Sequence, residues 1–466
     1  MKAEKAIKKD SKTRILHLIK SLGRGGAEKL IPETAKVHNQ KNYQFYCLYF
    51  YHQKNNIVEE LEDSGIKVEL IPSGNLGLFF QVQRVRNFIW ENQIDIIHAH
   101  LPWAGILSRQ VGKSLNIPIV YTEHNTWDRY NSISYWGNRL TFKKQDVAIA
   151  VSNEVALSMQ LNSIFDPYQR GGRLKVKVIQ NGVNTDEFRR IGIREKGLGY
   201  SEKNIHTSEV RGRLRDGETE RLENRDPESY RDGDGEIRRH NDFSDMTSKS
   251  LIPLVSESLA SGYEISPSFD NRNDEIGKLK LSLNIPEESP VIGKVAVFRS
   301  QKRLWIWVDL ALKILEMKPE THFLLVGDGE WRERIKEQIQ TSGFGHNFHL
   351  VGVQKEVIPY LSIMDIYLST SEFEGLPIAM LEAMSCEVPV VATRAGGIGE
   401  IIQHGKQGYL SEIDEYEDLV EHCLTLLENE DQRMSMASAA RQRVVDEFSM
   451  KRMVEEIEGV YESVLN

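Results

Sequence analysis

The sequence has few cysteines and lacks long apolar runs. Its 466 residues include three cysteines, Cys47, Cys386 and Cys423, an odd number scattered along the chain. This usage excludes a disulfide framework and a cysteine metal cluster and favours a reducing compartment, so we expect a cytoplasmic protein. Every apolar run falls well short of the roughly 18 residues that a membrane helix needs, so we expect no membrane span.

Positive charge is also in deficit. The formal net charge of −9 argues against a nucleic-acid partner, because phosphate backbones require a dense cationic surface. The lysine-rich segment 1–14 lacks the apolar stretch of a secretory signal. We interpret it as a solvated tail that allows at most weak peripheral contact with the inner face of a membrane.

Short apolar runs alternate with helical patterns from residue 13 onward. Such runs are typical of strands in a parallel sheet that helices cover on both faces. They predict an α/β fold with an N-terminal Rossmann-like domain over 13–189. The strand candidates in this part of the chain are 14–19, 95–100, 117–122 and 147–152.

The alternation stops between residues 190 and 284, where polar and charged segments have almost no periodicity. Such a composition cannot bury enough apolar surface to offset the entropy of ordering, so we predict a largely disordered insertion or linker with one short helix at 251–259. Alternation returns over 285–430 and predicts a second Rossmann-like domain. Helical patterns over 431–466 predict terminal helices that pack back on the first domain.

Two doubly wound sheets place ligands in the crevice at the carboxyl ends of their strands. Glu374 and Glu382 lie in the segment 371–384, which follows a predicted strand and begins a helix at Leu376 and Pro377. Helical rise separates the two carboxylates by roughly 12 Å, so they suit the two ends of an extended ligand. The free N–H groups of the helix start suit a diphosphate. Taken alone, the segment is equally consistent with a capped, partly exposed helix.

Two cations follow another predicted strand, which ends at Phe298. Arg299 and Lys302 could together neutralise a diphosphate, although a solvated basic turn has the same composition. Their position after a strand favours the binding role. We expect them to face the two carboxylates across the cleft.

Glycine-rich turns follow two more strands. Gly25 and Gly26 lack side chains, so their backbone amides could approach a ligand closely. Their spacing matches neither a dinucleotide-binding motif nor a P-loop, which disfavours a nicotinamide enzyme or a kinase. The turn 394–400 could present amides to a ligand in the same way or simply connect a strand to a helix.

Histidines also follow predicted strands. His124 could bind a sugar hydroxyl or manage a proton, or it could be a solvated loop residue. His98 and His100 lie on the same side of their strand, but no further metal ligand is evident near them in the sequence. We therefore expect no metal site there.

Taken together, these residues resemble the family-4 glycosyltransferases of GT-B fold over about 13–189 and 285–430. The most specific match is the pair Glu374 and Glu382, with seven residues between them, inside the pattern Glu-Gly-Leu-Pro…Leu-Glu-Ala-Met. The resemblance implies two Rossmann-like doubly wound domains that face each other across a cleft. Further matching stretches, in the order of the family, are 25–28, 97–100, 181–184 and 326–329.

The resemblance implies roles around the transferred sugar and the ribose. Glu374 would hold hydroxyls of the donor sugar, helped by the backbone of Gly375 and Leu376. Glu382 would bind the ribose of the nucleotide. His124 would contact the donor sugar near the reacting carbon.

It also implies roles around the diphosphate and the base. Arg299 and Lys302 would bind the diphosphate, and Gly25 and Gly26 would approach the phosphate or the acceptor from the N-terminal domain. The base would rest near the loop that contains Val353, of which only the glycine before it is recognisable.

The chain departs from the family in four features. Arg299 and Lys302 are three residues apart, whereas many members have five. Pro32 lies early in the first helix, where it could introduce a kink. Gly399 stands where proline is usual, and the insertion occupies a connection that is normally short.

The resemblance implies a retaining hexosyltransferase with no cofactor besides its nucleotide-sugar co-substrate. We expect a UDP-linked donor ahead of a GDP-linked one only because UDP-sugars are the commoner donors. We also expect a metal-independent reaction, because no Asp-x-Asp pair follows a predicted strand. The Asp232-Gly233-Asp234 stretch lies in the insertion and not after a strand, so it suggests no metal. Glycans, lipid-linked sugars and small molecules all stay open as acceptors, with polysaccharide, lipopolysaccharide or glycolipid synthesis as the setting. A sugar-nucleotide epimerase or hydrolase of the same fold, and an inactive sugar-nucleotide-binding protein, are the alternatives.

Overall fold

The computed structural model describes residues 12–54, 56–74, 77–159, 175–191 and 272–465. The predicted helix at 251–259 and most of the predicted insertion therefore lie outside the described residues. The last part of the predicted insertion forms a helix, Arg272–Ser282. Its Ile276 and Leu279 pack against the hydrophobic core. We had assigned these residues to the disordered insertion, because the polar residues of this helix outnumber its apolar ones.

The first sheet is entirely parallel, with the strand order β3-β2-β1-β4-β5-β6-β7. Sequence analysis identified four of these strands to within two residues at each end and missed the others. The strands are β1 (Thr13–Leu18), β2 (Tyr43–Tyr49), β3 (Lys67–Leu70), β4 (Ile96–His100), β5 (Ile119–Glu123), β6 (Val147–Ala150) and β7 (Lys175–Val178).

The second sheet is also parallel, with the order β10-β9-β8-β11-β12-β13. Its inner strands are buried on both faces, as the five buried residues of β9 illustrate. This burial explains the continuous apolar runs in the sequence. The strands are β8 (Val291–Val295), β9 (His322–Val326), β10 (Phe348–Gly352), β11 (Ile366–Ser369), β12 (Val390–Thr393) and β13 (Gly408–Ser411).

Helices connect the strands, and α1 continues through Pro32. Among the described residues, no helix is long and apolar enough to cross a lipid bilayer. In chain order the helices are α1 (Gly26–Val37), α2 (Val58–Asp63), α3 (Val82–Glu91), α4 (Leu101–Leu115), α5 (Ser132–Thr141), α6 (Asn153–Met159), α7 (Arg272–Ser282), α8 (Leu304–Met317), α9 (Arg332–Thr341), α10 (Ile358–Ser362), α11 (Ile378–Ser385), α12 (Ile398–Ile401), α13 (Asp418–Glu428), α14 (Glu430–Glu447) and α15 (Met450–Leu465).

The strand order reverses direction at one place in each sheet. In the first sheet β1 pairs with both β2 and β4, and in the second β8 pairs with both β9 and β11. The loops after these central strands diverge to opposite faces and open a crevice. This arrangement, a doubly wound α/β sheet used twice, brings together the loops that carry the predicted site.

The last helix of the chain packs on the first sheet rather than the second. Met450, Met453 and Val454 of α15 share a buried cluster with β1 and α1. The hydroxyl of Tyr461 lies 2.6 Å from Nδ1 of His98 on β4. The C-terminal residues thus complete the core of the N-terminal half.

Candidate functional site

A cavity of about 330 Å³ lies where the switch-point loops of the two sheets meet. This volume suits a small-molecule ligand, for which pockets start at about 300 Å³. The structure brings all ten residues of the predicted site into this one cavity, which we call the donor cavity. They are Gly25, Gly26, His124, Arg299, Lys302, Val353, Glu374, Gly375, Leu376 and Glu382.

Lys302 and Glu374 form an ion pair at the edge of the donor cavity. Lys302 Nζ donates to both carboxylate oxygens of Glu374, at 2.6 Å each. Burial opposes the ionised form of Glu374, but the charges of Lys302 and Lys294 outweigh it and lower the pKa of this carboxyl. We expected the two residues on opposite sides of a cleft. They lie on the same side, because β8 and β11 are neighbours in one sheet.

A second cation, Lys294, lies behind this pair and was missed by the sequence analysis. It is 1% exposed on β8, and its Nζ donates to Ser369 Oγ at 2.7 Å and to Ser371 Oγ at 3.2 Å. Burial lowers the pKa of Lys294 to about 7, against the opposing attraction of Glu374. A lone lysine inside an apolar strand was the signal that could have revealed it, since lysine is almost never fully buried without a partner.

Helix α11 begins beside the ion pair. It spans Ile378–Ser385, with Pro377 as its N-cap, and thus starts two residues later than predicted. Pro377 has an extended backbone conformation and, like any proline, has no N–H to leave unpaired. The free N–H groups of the first turn lie at the donor cavity, which Ile378 and Ala379 line.

Glu382 occupies the second turn of α11 and is 7% exposed. Burial raises the pKa of its carboxyl, and Glu33 and Glu187 raise it further while Lys29 opposes them. Within the described part of the chain, no side chain donates a hydrogen bond to this carboxylate. Its acceptor sites are therefore available to a ligand in the cavity.

Arg299 is exposed at the cavity wall, on the loop after β8. Glu28 approaches it from helix α1 of the other domain. Burial raises the pKa of the Glu28 carboxyl, and the charge of Arg299 partly offsets this effect. No ion pair within 4 Å holds the Arg299 guanidinium in the described residues, so its donors can reach a ligand.

Glycines permit the two domains to approach closely. A Cβ on Gly375 would lie 2.2 Å from the carbonyl oxygen of His124, and one on Gly26 would lie 3.3 Å from Cδ1 of Ile378. Any side chain at position 375 would force the backbone of residue 375 or that of His124 to move, so only glycine fits there. Val353, by contrast, is 42% exposed at the far wall of the cavity, beside Gly352.

The turn 394–400 supports Glu374 from behind. The N–H of Gly397 donates to the carbonyl of Glu374 at 3.0 Å, and Gly396 has a φ of +58° with no room for a side chain against that carbonyl. Glu400 accepts hydrogen bonds from Asn153 and Gln180 of the other domain, at 2.8–2.9 Å. The turn therefore holds Glu374 and links the domains, and its amides do not face the donor cavity.

His124 begins a chain of buried histidines. His124 Nε2 lies 3.5 Å from His100 Nδ1, and His100 Nε2 lies 3.0 Å from His17 Nδ1. Burial lowers the pKa of His17 to about 3 and that of His124 to about 4, so both imidazoles are neutral at pH 7.

The cluster His17, His98 and His100 has the residue types of a metal centre, which the sequence analysis did not expect. The ring of His100 stacks on those of His98 and His17, at 4.4 and 5.2 Å between centroids. Both nitrogens of His98 also have partners, Tyr461 and Thr122. The geometry fits a hydrogen-bonded network better than a metal site.

Two family models match this chain, one for each sheet. The model described as Glycosyltransferase Family 4 matches residues 24–187, and the model described as Glycosyl transferases group 1 matches residues 276–443. Together they contain every residue of the predicted site. The chain belongs to the family-4 glycosyltransferases of GT-B fold.

Curated glycosyltransferases resemble parts of this family-4 chain. The N-acetyl-alpha-D-glucosaminyl L-malate synthase of Bacillus anthracis is 32% identical over 191 residues, which are 41% of this chain and 50% of that protein. The sulfoquinovosyl transferase of Arabidopsis thaliana is 32% identical over 183 residues, which are 38% of this chain and 34% of that protein. The aligned part spans half or less of these relatives.

Solved structures of GT-B glycosyltransferases match almost the whole chain. HepE of Anabaena, in complex with UDP and glucose, gives a TM-score of 0.69 at 20% identity and covers 97% of this chain and 100% of its own. The sucrose-phosphate synthase of Thermosynechococcus elongatus gives a TM-score of 0.66 at 13% identity and covers 97% of this chain and 99% of its own. At these identities the likeness shows the fold, two parallel Rossmann-like sheets of GT-B type.

Proposed function

We propose that this glycosyltransferase moves a sugar from a UDP-sugar to an acceptor hydroxyl with retention of anomeric configuration. The observation that carries the proposal is the placement of two cations and two carboxylates in one cavity. Arg299 and Lys302 supply positive charge for a diphosphate, while Glu374 and Glu382 supply acceptors for hydroxyl groups on either side of it.

The nucleotide part of the donor would lie along helix α11. Glu382 would accept hydrogen bonds from the ribose hydroxyls, since its carboxylate has no described donor partner and faces the cavity. The diphosphate would lie at the helix start, where free N–H groups and the positive end of the helix dipole favour an anion. The base would contact Val353, whose exposed side chain lines the same cavity.

The sugar would lie between Glu374 and His124. Lys302 donates two of its three ammonium hydrogens to Glu374, so one donor is left for the diphosphate. Glu374 and the backbone of Gly375 and Leu376 would hold sugar hydroxyls. His124, neutral at pH 7, would contact the sugar near its anomeric carbon.

In the reaction, the bond between the anomeric carbon and the diphosphate oxygen breaks, and the electron pair stays on that oxygen. The acceptor oxygen bonds to the anomeric carbon on the same face, and its proton passes to the departing phosphate oxygen. Arg299, Lys302 and the start of α11 would stabilise the charge that develops on the leaving group. With these groups in place of a metal ion, we propose a metal-independent transfer.

Similar proteins support a UDP-linked donor and a glycan product. HepE has been solved with UDP, with UDP-glucose, and with UDP and glucose. A Vi polysaccharide biosynthesis protein of Salmonella typhi is 33% identical over 132 residues, 28% of this chain and 23% of that protein. We therefore propose synthesis of a polysaccharide, lipopolysaccharide or glycolipid, with a glycan, lipid-linked or small-molecule acceptor.

A panel of UDP- and GDP-sugars tests the proposal. Thermal shift would identify the donor, because a ligand that binds only the folded state raises Tm. Release of UDP would then be measured with and without candidate acceptors, and the product linkage determined by proton NMR. We expect UDP release that requires an acceptor and an unchanged anomeric configuration. Release or epimerisation without an acceptor would contradict transfer, and binding without any release would indicate an inactive binding protein.

A further inference from the structure

The proposed donor site has a buried polar layer beneath it that the mechanism above does not use. Lys294, Ser369 and Ser371 form this layer, and all three are at most 2% exposed. Lys294 is not among the residues that line the donor cavity. Its ammonium group therefore acts through its neighbours and not on a ligand directly.

Ser371 connects Lys294 to Glu374. Ser371 Oγ donates its single hydrogen to Glu374 Oε1 at 2.7 Å, so its oxygen accepts the hydrogen bond from Lys294 Nζ at 3.2 Å. Ser369 Oγ, which also accepts from Lys294, lies 3.3 Å from Ser371 Oγ, so both routes from Lys294 to the Glu374 carboxylate pass through Ser371.

The hydrogen bonds occupy the two carboxylate oxygens of Glu374 unequally. Oε1 accepts from both Lys302 and Ser371, whereas Oε2 accepts from Lys302 alone. A carboxylate has about four acceptor sites, so the free site on Oε2 is the one best able to receive a hydroxyl. The Ser371 bond fixes which oxygen is free.

We propose that Lys294 is a positioning residue that, through Ser371, holds Glu374 with Oε2 available to a hydroxyl of the donor sugar. This assignment rests on the proposed function, because it presumes that Glu374 binds the sugar. Loss of Lys294 would leave Ser369, 3.3 Å away, as the remaining partner that orients Ser371, and would weaken the hold of Ser371 on Glu374 Oε1.

The charge on Lys294 responds to pH near neutrality. Three charged groups face its ammonium: Glu374 from the loop before α11, and Lys302 and Arg303 from the loop after β8. Burial is the largest effect and lowers the pKa of Lys294 to about 7. The positioning effect is therefore strongest below pH 7 and weakens as pH rises through 7.

The test compares Lys294→Met and Ser371→Ala with the matched control Ser108→Ala, a fully buried serine of α4 whose Oγ donates to the carbonyl of Gly105. A hydrogen bond to a charged group is worth roughly 1.5–3 kcal/mol, so kcat/KM for the best UDP-sugar should fall about tenfold or more in the first two variants. Affinity for UDP alone should stay within about twofold of wild type, because UDP does not reach Glu374. We expect kcat/KM of wild type to decline above pH 7 and the kcat/KM of Lys294→Met to lack this decline.

A second readout is independent of turnover. Carbon NMR of labelled glutamate, with the Glu374 signal assigned from Glu374→Gln, reports the pKa of that carboxyl. We expect a higher pKa in Lys294→Met and Ser371→Ala than in wild type and Ser108→Ala. An unchanged Glu374 pKa in a folded variant overturns the proposal, even if no donor is turned over. If Lys294→Met does not fold, the same measurement on Ser371→Ala decides. Absence of turnover in wild type, with the expected NMR shifts, would contradict the proposed function alone.

Discussion

Lys302 Nζ lies 2.6 Å from each carboxylate oxygen of Glu374. The two residues are 72 positions apart in sequence and meet because their loops follow adjacent parallel strands. Their side chains are only 16% and 10% exposed, so this pair differs from the solvated ion pairs of the surface. A donor sugar would bind to an acceptor group that the protein has already oriented.

Lys302→Met should cost both stability and activity. Removing Lys302 leaves the Glu374 carboxylate with only the Ser371 hydrogen bond and the charge of Lys294, and breaking a buried pair costs up to about 3–5 kcal/mol. We expect a lower Tm by differential scanning calorimetry and kcat/KM reduced about a hundredfold. The control Lys318→Met removes an exposed pair with Glu428 and should change neither measurably. Equal effects of the two substitutions would contradict the role of Lys302.

Glu382→Gln should weaken nucleotide binding more than turnover. The substitution keeps the shape of the side chain but removes the charge that would accept ribose hydroxyls. We expect the Kd for UDP, by titration calorimetry, to rise about tenfold, since a hydrogen bond to a charged group is worth roughly 1.5–3 kcal/mol. Glu372→Gln, at an exposed neighbouring position paired with Arg129, is the control. A UDP affinity that is unchanged in Glu382→Gln would exclude the ribose contact.

Gly375→Ala should disturb the approach of the two domains. Its Cβ would lie 2.2 Å from the carbonyl oxygen of His124, so one backbone must move. We expect a lower Tm and a large loss of turnover, because the backbone that we propose to hold the sugar moves with it. The control Gly459→Ala lies in α15, where nothing lies within 4 Å of the added Cβ, and should stabilise the protein by about 0.5–1 kcal/mol. Wild-type activity in Gly375→Ala would show that the contact is unimportant.

The buried histidines should make the protein sensitive to acid. Burial lowers the pKa of His17 to about 3 and of His124 to about 4, and it lowers the pKa values of His98 and His100 as well. The unfolded chain therefore binds more protons than the folded protein below about pH 6.5, so stability is full above that pH and is lost as pH falls. Each such histidine contributes a slope of up to about 1.4 kcal/mol per pH unit.

Urea unfolding between pH 7.5 and 4.5 measures this effect. We expect the free energy of unfolding to fall steadily below pH 6.5 in wild type and less steeply in His17→Phe, which removes one of these groups. His346→Phe, at an exposed position, should keep the wild-type slope. A slope unaffected by His17→Phe would contradict the assignment of His17 as a neutral buried group.

The sequence was sufficient to predict the two-sheet architecture, and the ten residues that it singled out line one cavity. Buried parallel strands have continuous apolar runs, as in β9, so the alternation of such runs with helical patterns predicted both sheets. The site residues could be found because each one follows a strand, and the strands of a doubly wound sheet end at one edge. Their functional roles stay predictions.

Interactions between distant residues could not be predicted in the same way. The ion pair of Lys302 and Glu374 depends on which strands are neighbours, which no local pattern specifies. The contact between Tyr461 and His98 joins positions 363 apart, and Lys294 has its partners on β11 and the loop after it. The late start of α11 depends on the extended backbone of Pro377, whereas the sequence showed only that a proline there is compatible with a first turn.

A crystal structure of the protein with UDP would test the central claim most directly. The account predicts ribose hydroxyls within hydrogen-bond distance of the Glu382 carboxylate and the diphosphate against Arg299, Lys302 and the first turn of α11. UDP bound elsewhere, or in the donor cavity with its diphosphate away from both cations, would contradict it.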